Sequence, residues 1–281
     1  MGVTIIADST ADLIPAVAAR VKTIPLTIRF GDQEFLDGIT IDSHKFYEML
    51  VERDELPTTS QATPFDFEGP FAEAVEAGAD VVCITCSSGL SGTYQSAVIA
   101  ASEYPGRVFV VDSRTIALGS AILTEYALQL ADKGMTAEAI AGELVRARDR
   151  VRLIAMLDTL EYLKKGGRIS KTAAVAGSLL NIKPVICVED GEIRMLGKAR
   201  GSRQGNNLLV QQIHKAGGVD FSMPVLLGYT GLSDELLRKY MEDSATLWEG
   251  NVEELNIRAV GSVVGTHAGP GAVAVAFFSG E

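Results

Sequence analysis

Cysteine, positive charge and long apolar runs are all scarce in this chain. There are three cysteines among 281 residues, and this odd, low number does not support a disulfide framework but fits a reducing compartment. The 25 Lys and Arg residues against 36 Asp and Glu residues give a net charge of −11, which argues against non-specific nucleic-acid binding because phosphate affinity requires clustered cations. No run approaches the ~20 apolar residues that span a bilayer, so we expect no integral membrane segment.

Two of the cysteines, Cys83 and Cys86, form a C-x-x-C pair with two possible meanings. One is redox or metal chemistry. The other, which we favour, is two small core residues, because Cys83 lies inside a predicted strand rather than at a helix start. No second cysteine pair or histidine cluster completes a zinc site, so we expect no metal. The N-terminus lacks a basic region followed by an apolar one, so we expect no secretory signal and a cytoplasmic protein.

The order of predicted elements indicates two kinds of sheet. In the first half, β-branched runs alternate with helical patterns, which predicts a parallel sheet with helices on both faces. In the second half, Asp190-Gly191 separates two β runs and predicts a hairpin with antiparallel pairing. We therefore predict an α/β fold with a parallel α/β domain over residues 1–150 and a mixed α/β domain over residues 151–281. The boundary is approximate, and the two domains can exchange segments.

The first half is organised around Thr85–Ser96, which reads T-C-S-S-G-L-S-G-T-Y-Q-S. An apolar strand leads into this stretch and a helical pattern leads out of it. At the carboxyl edge of a parallel sheet, the hydroxyls, the glycines and the free N–H groups of a helix start suit a phosphate or a carboxylate. The alternative is a strand–helix connection in which a Ser or Thr only caps the helix.

Three other segments carry polar groups without a full structural explanation. A predicted loop at 57–64 contains Thr58, Thr59 and Ser60, whereas Thr63 is explained as a helix cap. The most basic loop, Lys164–Ser170, is either a solvated turn or a phosphate site. The motif G-T-H-A-G-P-G around His267 predicts a tight turn with a ligand-facing histidine.

These motifs, taken together and in order, resemble the DegV family, the fatty-acid-binding subunits of bacterial fatty acid kinase. The resemblance covers nearly the whole chain, and Ala62, where many members have proline, departs from it. It implies a two-domain fold with one fatty acid between the domains. It also implies that Thr59 and Ser91 hold the carboxylate and that Arg168 and His267 support phosphoryl transfer. Further residues that can contribute are Ser60, Gly92, Thr93, and either Arg200 or Arg203, at the phosphoryl end or in docking the kinase.

By this resemblance the chain is not itself an enzyme. It has neither a Walker A motif nor a kinase signature set, so a separate ATP-binding kinase subunit would phosphorylate the carboxylate of a long-chain fatty acid to an acyl phosphate. The fatty acid would be the only ligand, and no cofactor is expected. Two alternatives remain: a stand-alone enzyme or regulator acting on a small phosphorylated or carboxylated ligand, and a fatty-acid regulator or carrier without a kinase partner.

Overall fold

The computed structural model describes residues 2–169, 181–251 and 255–280. The strands in these ranges are β1 (Val3–Asp8), β2 (Lys22–Ile24), β3 (Thr27–Phe30), β4 (Gln33–Leu36), β5 (Thr58–Ser60), β6 (Asp80–Thr85), β7 (Val108–Asp112), β8 (Val151–Met156), β9 (Ile182–Glu189), β10 (Glu192–Arg200), β11 (Leu226–Tyr229), β12 (Ile257–Ala259) and β13 (Val273–Phe278). The helices are α1 (Pro15–Ala18), α2 (Ser43–Glu52), α3 (Pro64–Glu76), α4 (Thr93–Ala101), α5 (Leu118–Asp132), α6 (Ala137–Ala147), α7 (Glu161–Lys165), α8 (Gly201–Lys215), α9 (Glu235–Asp243), α10 (Ala245–Trp248) and α11 (Ser262–Ala268), and a 3₁₀ turn spans Arg148–Arg150. Within the described ranges, every helix falls short of the combined length and apolar character that a membrane crossing requires.

The first sheet is parallel throughout and has the strand order β2-β1-β6-β7. Its strands are buried on both faces, which explains their nearly continuous apolar sequences. Helices α3 and α4 cover one face, where Ile6 and Cys83 lie, and α5 and α6 cover the other, where Ile5 and Val82 lie. Cys83 is thus the core residue that its place in a predicted strand indicates.

The second sheet has six strands in the order β10-β9-β8-β13-β11-β12. All neighbours are antiparallel except β11 and β12. The predicted hairpin joins β9 to β10, and both Asp190 (φ 52°) and Gly191 (φ 79°) have the positive φ that a type I′ turn requires. Helices α8 and α9 pack on one face of this sheet. The mixed α/β fold with one parallel and one mixed sheet confirms the predicted fold class.

Helix α5 packs against both of these sheets. It contacts β1 and β6 of the first sheet and β8, β11 and β13 of the second. One apolar cluster therefore runs from Ile5 in the first strand to Phe278 in the last. Because elements of both halves share this core, the division into domains at residue 150 stays a prediction.

A third, small antiparallel sheet has the order β4-β3-β5. The segment around Thr58, Thr59 and Ser60 is one of its edge strands, so its prediction as a loop was wrong. These residues have no apolar alternation, and their strand forms because the backbone of Thr59 pairs with that of Ile28. The sheet places the Thr59 side chain beside helix α11, which also packs on β3 and β5.

Candidate ligand-binding site

A cavity of about 380 Å³ lies between the two larger sheets. One end is polar, and most of the wall is aliphatic because Leu153, Ala155 and Leu157 alternate along β8 and its end and point the same way. The polar lining residues are Thr10, Thr59, Ser60, Gln61, Ser91, Arg168, Thr230 and His267. The apolar lining also includes Ile116, Ala117, Ile186, Val188, Ile193, Val260, Val263, Val264, Ala272 and Ala274. The shape and chemistry suit a ligand with one polar end and a long apolar part.

Thr59 and His267 meet at the polar end. The Oγ1 atom of Thr59 lies 3.0 Å from Nε2 of His267. His267 belongs to helix α11 and not to a tight turn, so that prediction was wrong. The helix contains Gly265 because the buried ring of Tyr47 packs against the helix at this position. A side chain at 265 would overlap that ring. His267 lines the cavity.

The imidazole of His267 is neutral near pH 7. Burial, and then the positive charge of Arg168, lowers its pKa from 6.5 to about 4. Its Nδ1 atom is buried without a hydrogen-bond partner among the described residues. A side chain at Gly166 would overlap this nitrogen, so the glycine is what lets the ring lie where it does. A neutral imidazole has one donor and one acceptor nitrogen, and the contact with Thr59 uses Nε2.

Ser91 lies at the start of helix α4, in the loop that the sequence singled out. Its Oγ is 2.9 Å from Oγ1 of Thr93 and accepts a hydrogen bond of 3.3 Å from the Thr93 backbone N–H. Gly92 is the N-cap residue, and a side chain there would overlap Gln61, whose amide donates to Ser96 Oγ at 3.2 Å. The loop therefore brings one hydroxyl to the cavity and holds it through a second hydroxyl.

Asp8, the last residue of β1, supports this loop through hydrogen bonds. Its carboxylate is buried and accepts hydrogen bonds from the Cys86 backbone N–H (2.6 Å) and from the Thr10 N–H (2.9 Å) and Oγ1 (2.5 Å). Burial raises the pKa of Asp8, and these hydrogen bonds oppose the rise. The available signal was an Asp-Ser-Thr run after the first strand, since β1 and β6 are neighbours and their carboxyl ends meet.

Arg168 follows helix α7 and reaches across to the first half of the chain. Its Nη1 donates to the Gly166 carbonyl (2.8 Å) and its Nε to the Leu90 carbonyl (3.3 Å). The side chain is exposed at the polar end, and the described residues contain no carboxylate within ion-pair distance of it. Ser170, the last residue of the predicted basic loop, lies outside the described residues. Arg168 therefore presents a positive charge where the cavity opens.

Of the other predicted residues, some line the cavity and some do not. Ser60 lines the cavity beside Thr59. Arg200, at the end of β10, and Arg203, in α8, are both exposed, and neither is among the described residues that line the cavity. No cluster of three or more potential metal ligands occurs in the part of the chain that the structure describes.

Two buried aspartate side chains anchor the start of helix α11. Asp12 Oδ1 accepts from the Gly261 N–H (2.6 Å), and Asp37 Oδ1 accepts from the Ser262 N–H (3.1 Å). Burial raises the pKa of Asp12 to about 8. The pair satisfies N–H groups that a helix start leaves free, and so anchors the helix that carries His267.

Comparison with known proteins agrees with this geometry. Residues 2–280 match the sequence model of a family described as "Uncharacterised protein, DegV family". The chain is 34% identical over 279 residues to a DegV domain-containing protein of Caldanaerobacter subterraneus subsp. tengcongensis, with 98% of each chain covered. It is similar, at 31% identity and a TM-score of 0.88, to the fatty-acid-binding DegV family protein of Thermus thermophilus, over 99% of this chain and 100% of the other.

A third relative shares the fold at lower identity. The fatty acid kinase (Fak) B3 protein of Streptococcus pneumoniae, solved with linoleic acid, is 24% identical, with a TM-score of 0.85 and 100% of both chains covered. The family model spans nearly all of this chain, and the resemblance found in its motifs is thereby confirmed. The chain belongs to the DegV family.

Proposed function

We propose that this protein binds one long-chain fatty acid, with the tail between the two larger sheets and the carboxylate at Thr59 and Ser91. The observation that carries the proposal is a single cavity with hydroxyl groups at one end and aliphatic side chains along most of its wall. Burial contributes roughly 0.8 kcal/mol per CH₂ group, so a long tail supplies most of the affinity. The same apolar wall disfavours the alternative of a small, fully polar phosphorylated ligand. The fatty-acid-binding relative from Thermus thermophilus supports this choice.

The carboxylate end relies on neutral donors. A carboxylate only accepts hydrogen bonds, and the hydroxyl protons of Thr59 and Ser91 can both point at it. His267 Nε2, 3.0 Å from Thr59 Oγ1, donates to that oxygen when its proton is on Nε2, which leaves the Thr59 proton for the ligand. Hydrogen bonds to a charged group contribute about 1.5–3 kcal/mol each, so this pair of donors orients the head group.

The bound carboxylate is then presented to a separate ATP-dependent kinase subunit. One carboxylate oxygen attacks the γ-phosphorus of ATP, the bond to the β–γ bridging oxygen breaks, and ADP leaves with that electron pair. The product is an acyl phosphate. Arg168, exposed at the cavity opening, balances negative charge on the transferring group, as cations do in phosphoryl transfer. This kinase step, the non-catalytic role of the chain itself and a cytoplasmic site of action rest on the family resemblance.

Mass spectrometry of the purified protein tests the binding step. Native spectra should show one bound fatty acid per chain, and solvent extraction should identify its tail. A protein that is empty and also fails to take up added oleate or palmitate contradicts the proposal. For the kinase step, acyl phosphate formed with ATP and a fatty acid kinase ATP-binding subunit is trapped as a hydroxamate with hydroxylamine. If the lipid-loaded protein gives no hydroxamate with such a subunit, the proposed kinase step is contradicted, whereas the proposed fatty-acid binding is not.

A further inference from the structure

A second cavity, of about 640 Å³, lies on the far side of the β9 wall. It is bounded by the ends of β8 and β9, the last turn of α8, the 3₁₀ turn at 148–150 and the segment after β7. Only Cys187 and Val188 also line the first cavity. Its lining residues are Arg114, Arg148, Asp149, Val151, Arg152, Ile154, Cys187, Val188, Glu189, Asp190, Leu196, Gln212, Lys215 and Ala216. The proposed fatty-acid site makes no use of its polar groups.

Positive charge is concentrated in this cavity. Three arginines and one lysine line it, in a chain whose net charge is −11. Two of its three carboxylates, Glu189 and Asp190, pair with Arg194 at 3.2 and 3.3 Å. The third, Asp149, has its Oδ1 3.8 Å from the Arg114 guanidinium and remains largely solvent-exposed. The local charge is therefore positive, opposite in sign to that of the whole molecule.

Much of the donor capacity of these cations is not used by the protein. Arg148 donates through Nη1 to the Asp112 carbonyl (2.6 Å), but its Nε is buried without a hydrogen-bond partner among the described residues. Arg152 uses Nη1 for the Asp149 and Val151 carbonyls, at 2.8 and 3.1 Å. A guanidinium has five N–H donors arranged to match phosphate oxygens. The remaining donors are available to an acceptor-rich ligand.

The backbone that carries Arg114 has an unusual conformation. The φ angle of Arg114 is 53°, in the left-handed region that residues with a side chain rarely adopt. The backbone N–H of Arg114 donates a hydrogen bond of 2.9 Å to the Asp112 carboxylate. Asp112 thus contacts two of the arginines, through its carboxylate and its carbonyl. Such strain persists where surrounding contacts enforce it, and it concentrates at ligand sites.

We propose that the second cavity binds a phosphorylated small molecule with at least two negative charges. Cations from three separate segments, namely 114, 148–152 and 215, face one volume that is large enough for such a ligand. No aromatic side chain occurs in its described lining, so the site lacks a platform for stacking a nucleobase and recognises the phosphate groups themselves. Ile154, Val188 and Leu196 offer a modest apolar surface to the remainder of the ligand.

Calorimetric titration of the full-length, fatty-acid-loaded protein with inorganic pyrophosphate tests this site. We expect one pyrophosphate per chain, with affinity that falls as ionic strength rises. The variant Arg114→Gln/Lys215→Gln should bind at least tenfold more weakly. Both residues are exposed, and thermal melting of the variant verifies that it is folded. The control Lys133→Gln/Arg238→Gln removes the same charge from exposed positions outside both cavities and should change the affinity by less than twofold.

Three results overturn the inference. The first is no binding of pyrophosphate at low ionic strength. The second is an equal loss of affinity in the test and control variants, which would reflect net charge alone. The third is a loss of binding in Arg168→Gln, which would locate the probe at the opening of the first cavity. No kinase subunit is present in this titration, so none of these outcomes depends on whether a kinase partner exists.

Discussion

The side-chain oxygen of Thr59 and Nε2 of His267 lie 3.0 Å apart, although 208 positions separate the two residues in the sequence. The contact joins an edge strand of the smallest sheet to a short helix that two buried carboxylates anchor. The proposed carboxylate-binding group and the proposed phosphoryl-transfer group are therefore not independent, and changing either one alters the other.

Replacing Thr59 by valine should weaken fatty-acid binding roughly tenfold or more, because it removes one hydrogen bond to a charged group, worth about 1.5–3 kcal/mol. Competition with a fluorescent fatty acid measures the change. Thr58→Val is the matched control, since Thr58 is the exposed neighbour in the same strand and does not line the cavity. If the two variants bind the fatty acid with equal affinity, Thr59 does not contact the carboxylate.

Replacing His267 by alanine or by glutamine should affect fatty-acid affinity differently. Glutamine can place an N–H donor near the position of Nε2 and keep the Thr59 hydroxyl oriented, so His267→Gln should bind fatty acid nearly as the parent does. His267→Ala should bind several-fold more weakly, because the donor to Thr59 is lost. Both should form less acyl phosphate. If alanine binds lipid as tightly as the parent, the histidine does not orient the threonine.

The protonation state of His267 is open to direct measurement. Its pKa, lowered to about 4 by burial and by Arg168, means that the imidazole stays neutral from pH 8 down to about pH 5. Nitrogen NMR of the labelled protein should show no titration of this ring between pH 8 and 5.5. A midpoint near 6.5 for His267 would mean that its environment is solvated.

Arg168→Gln should retain fatty-acid binding and lose acyl-phosphate formation with a kinase subunit, by tenfold or more. The guanidinium contacts two backbone carbonyls at the cavity opening, and no hydrogen bond joins it to the hydroxyl of Thr59 or Ser91. Lys165→Gln removes an exposed cation from the preceding helix and serves as the control. Loss of lipid binding in a folded Arg168→Gln protein would assign the arginine to the carboxylate instead.

Asp12 should make the protein less stable as pH rises. Its pKa is about 8 in the folded protein and near 3.8 when unfolded, so between these values the folded state binds the extra proton. The free energy of unfolding then falls with rising pH, by up to about 1.4 kcal/mol per pH unit from this group. Asp12→Asn should flatten the dependence measured by urea unfolding between pH 5 and 8, and the exposed Asp32→Asn should not.

Local sequence signals predicted the two larger sheets but not strand β5 of the small one. Runs such as Val81-Val82-Cys83-Ile84 are apolar because the strand is buried on both faces, and Asp190-Gly191 specifies a turn by its own backbone preferences. Thr58–Ser60 has neither kind of signal. It pairs with β3, and the backbone partner of Thr59 is Ile28, too distant in the sequence for a local pattern to encode.

The environment of His267 shows a similar limit. Glycines at 261 and 265 and the sequence Gly269-Pro270-Gly271 favour a turn, yet residues 262–268 form a helix. Tertiary contacts outweigh these local preferences: the carboxylates of Asp12 and Asp37 satisfy the helix start, and Tyr47 occupies the space that the lack of a side chain leaves open. The motif resemblance singled out the histidine, which lines the cavity, whereas its backbone conformation depends on residues far away in the sequence.

The position of α5 between the two larger sheets restricts how a ligand reaches the first cavity. The helix buries Leu118, Ile122, Leu123, Leu128 and Leu130, so parting the sheets along it would expose large aliphatic side chains at roughly 2 kcal/mol each. Ligand exchange by separation of the two larger sheets would therefore be slow. For the proposed fatty acid, this leaves the polar end, where Arg168 and Ser60 are exposed, as the expected route of loading and release.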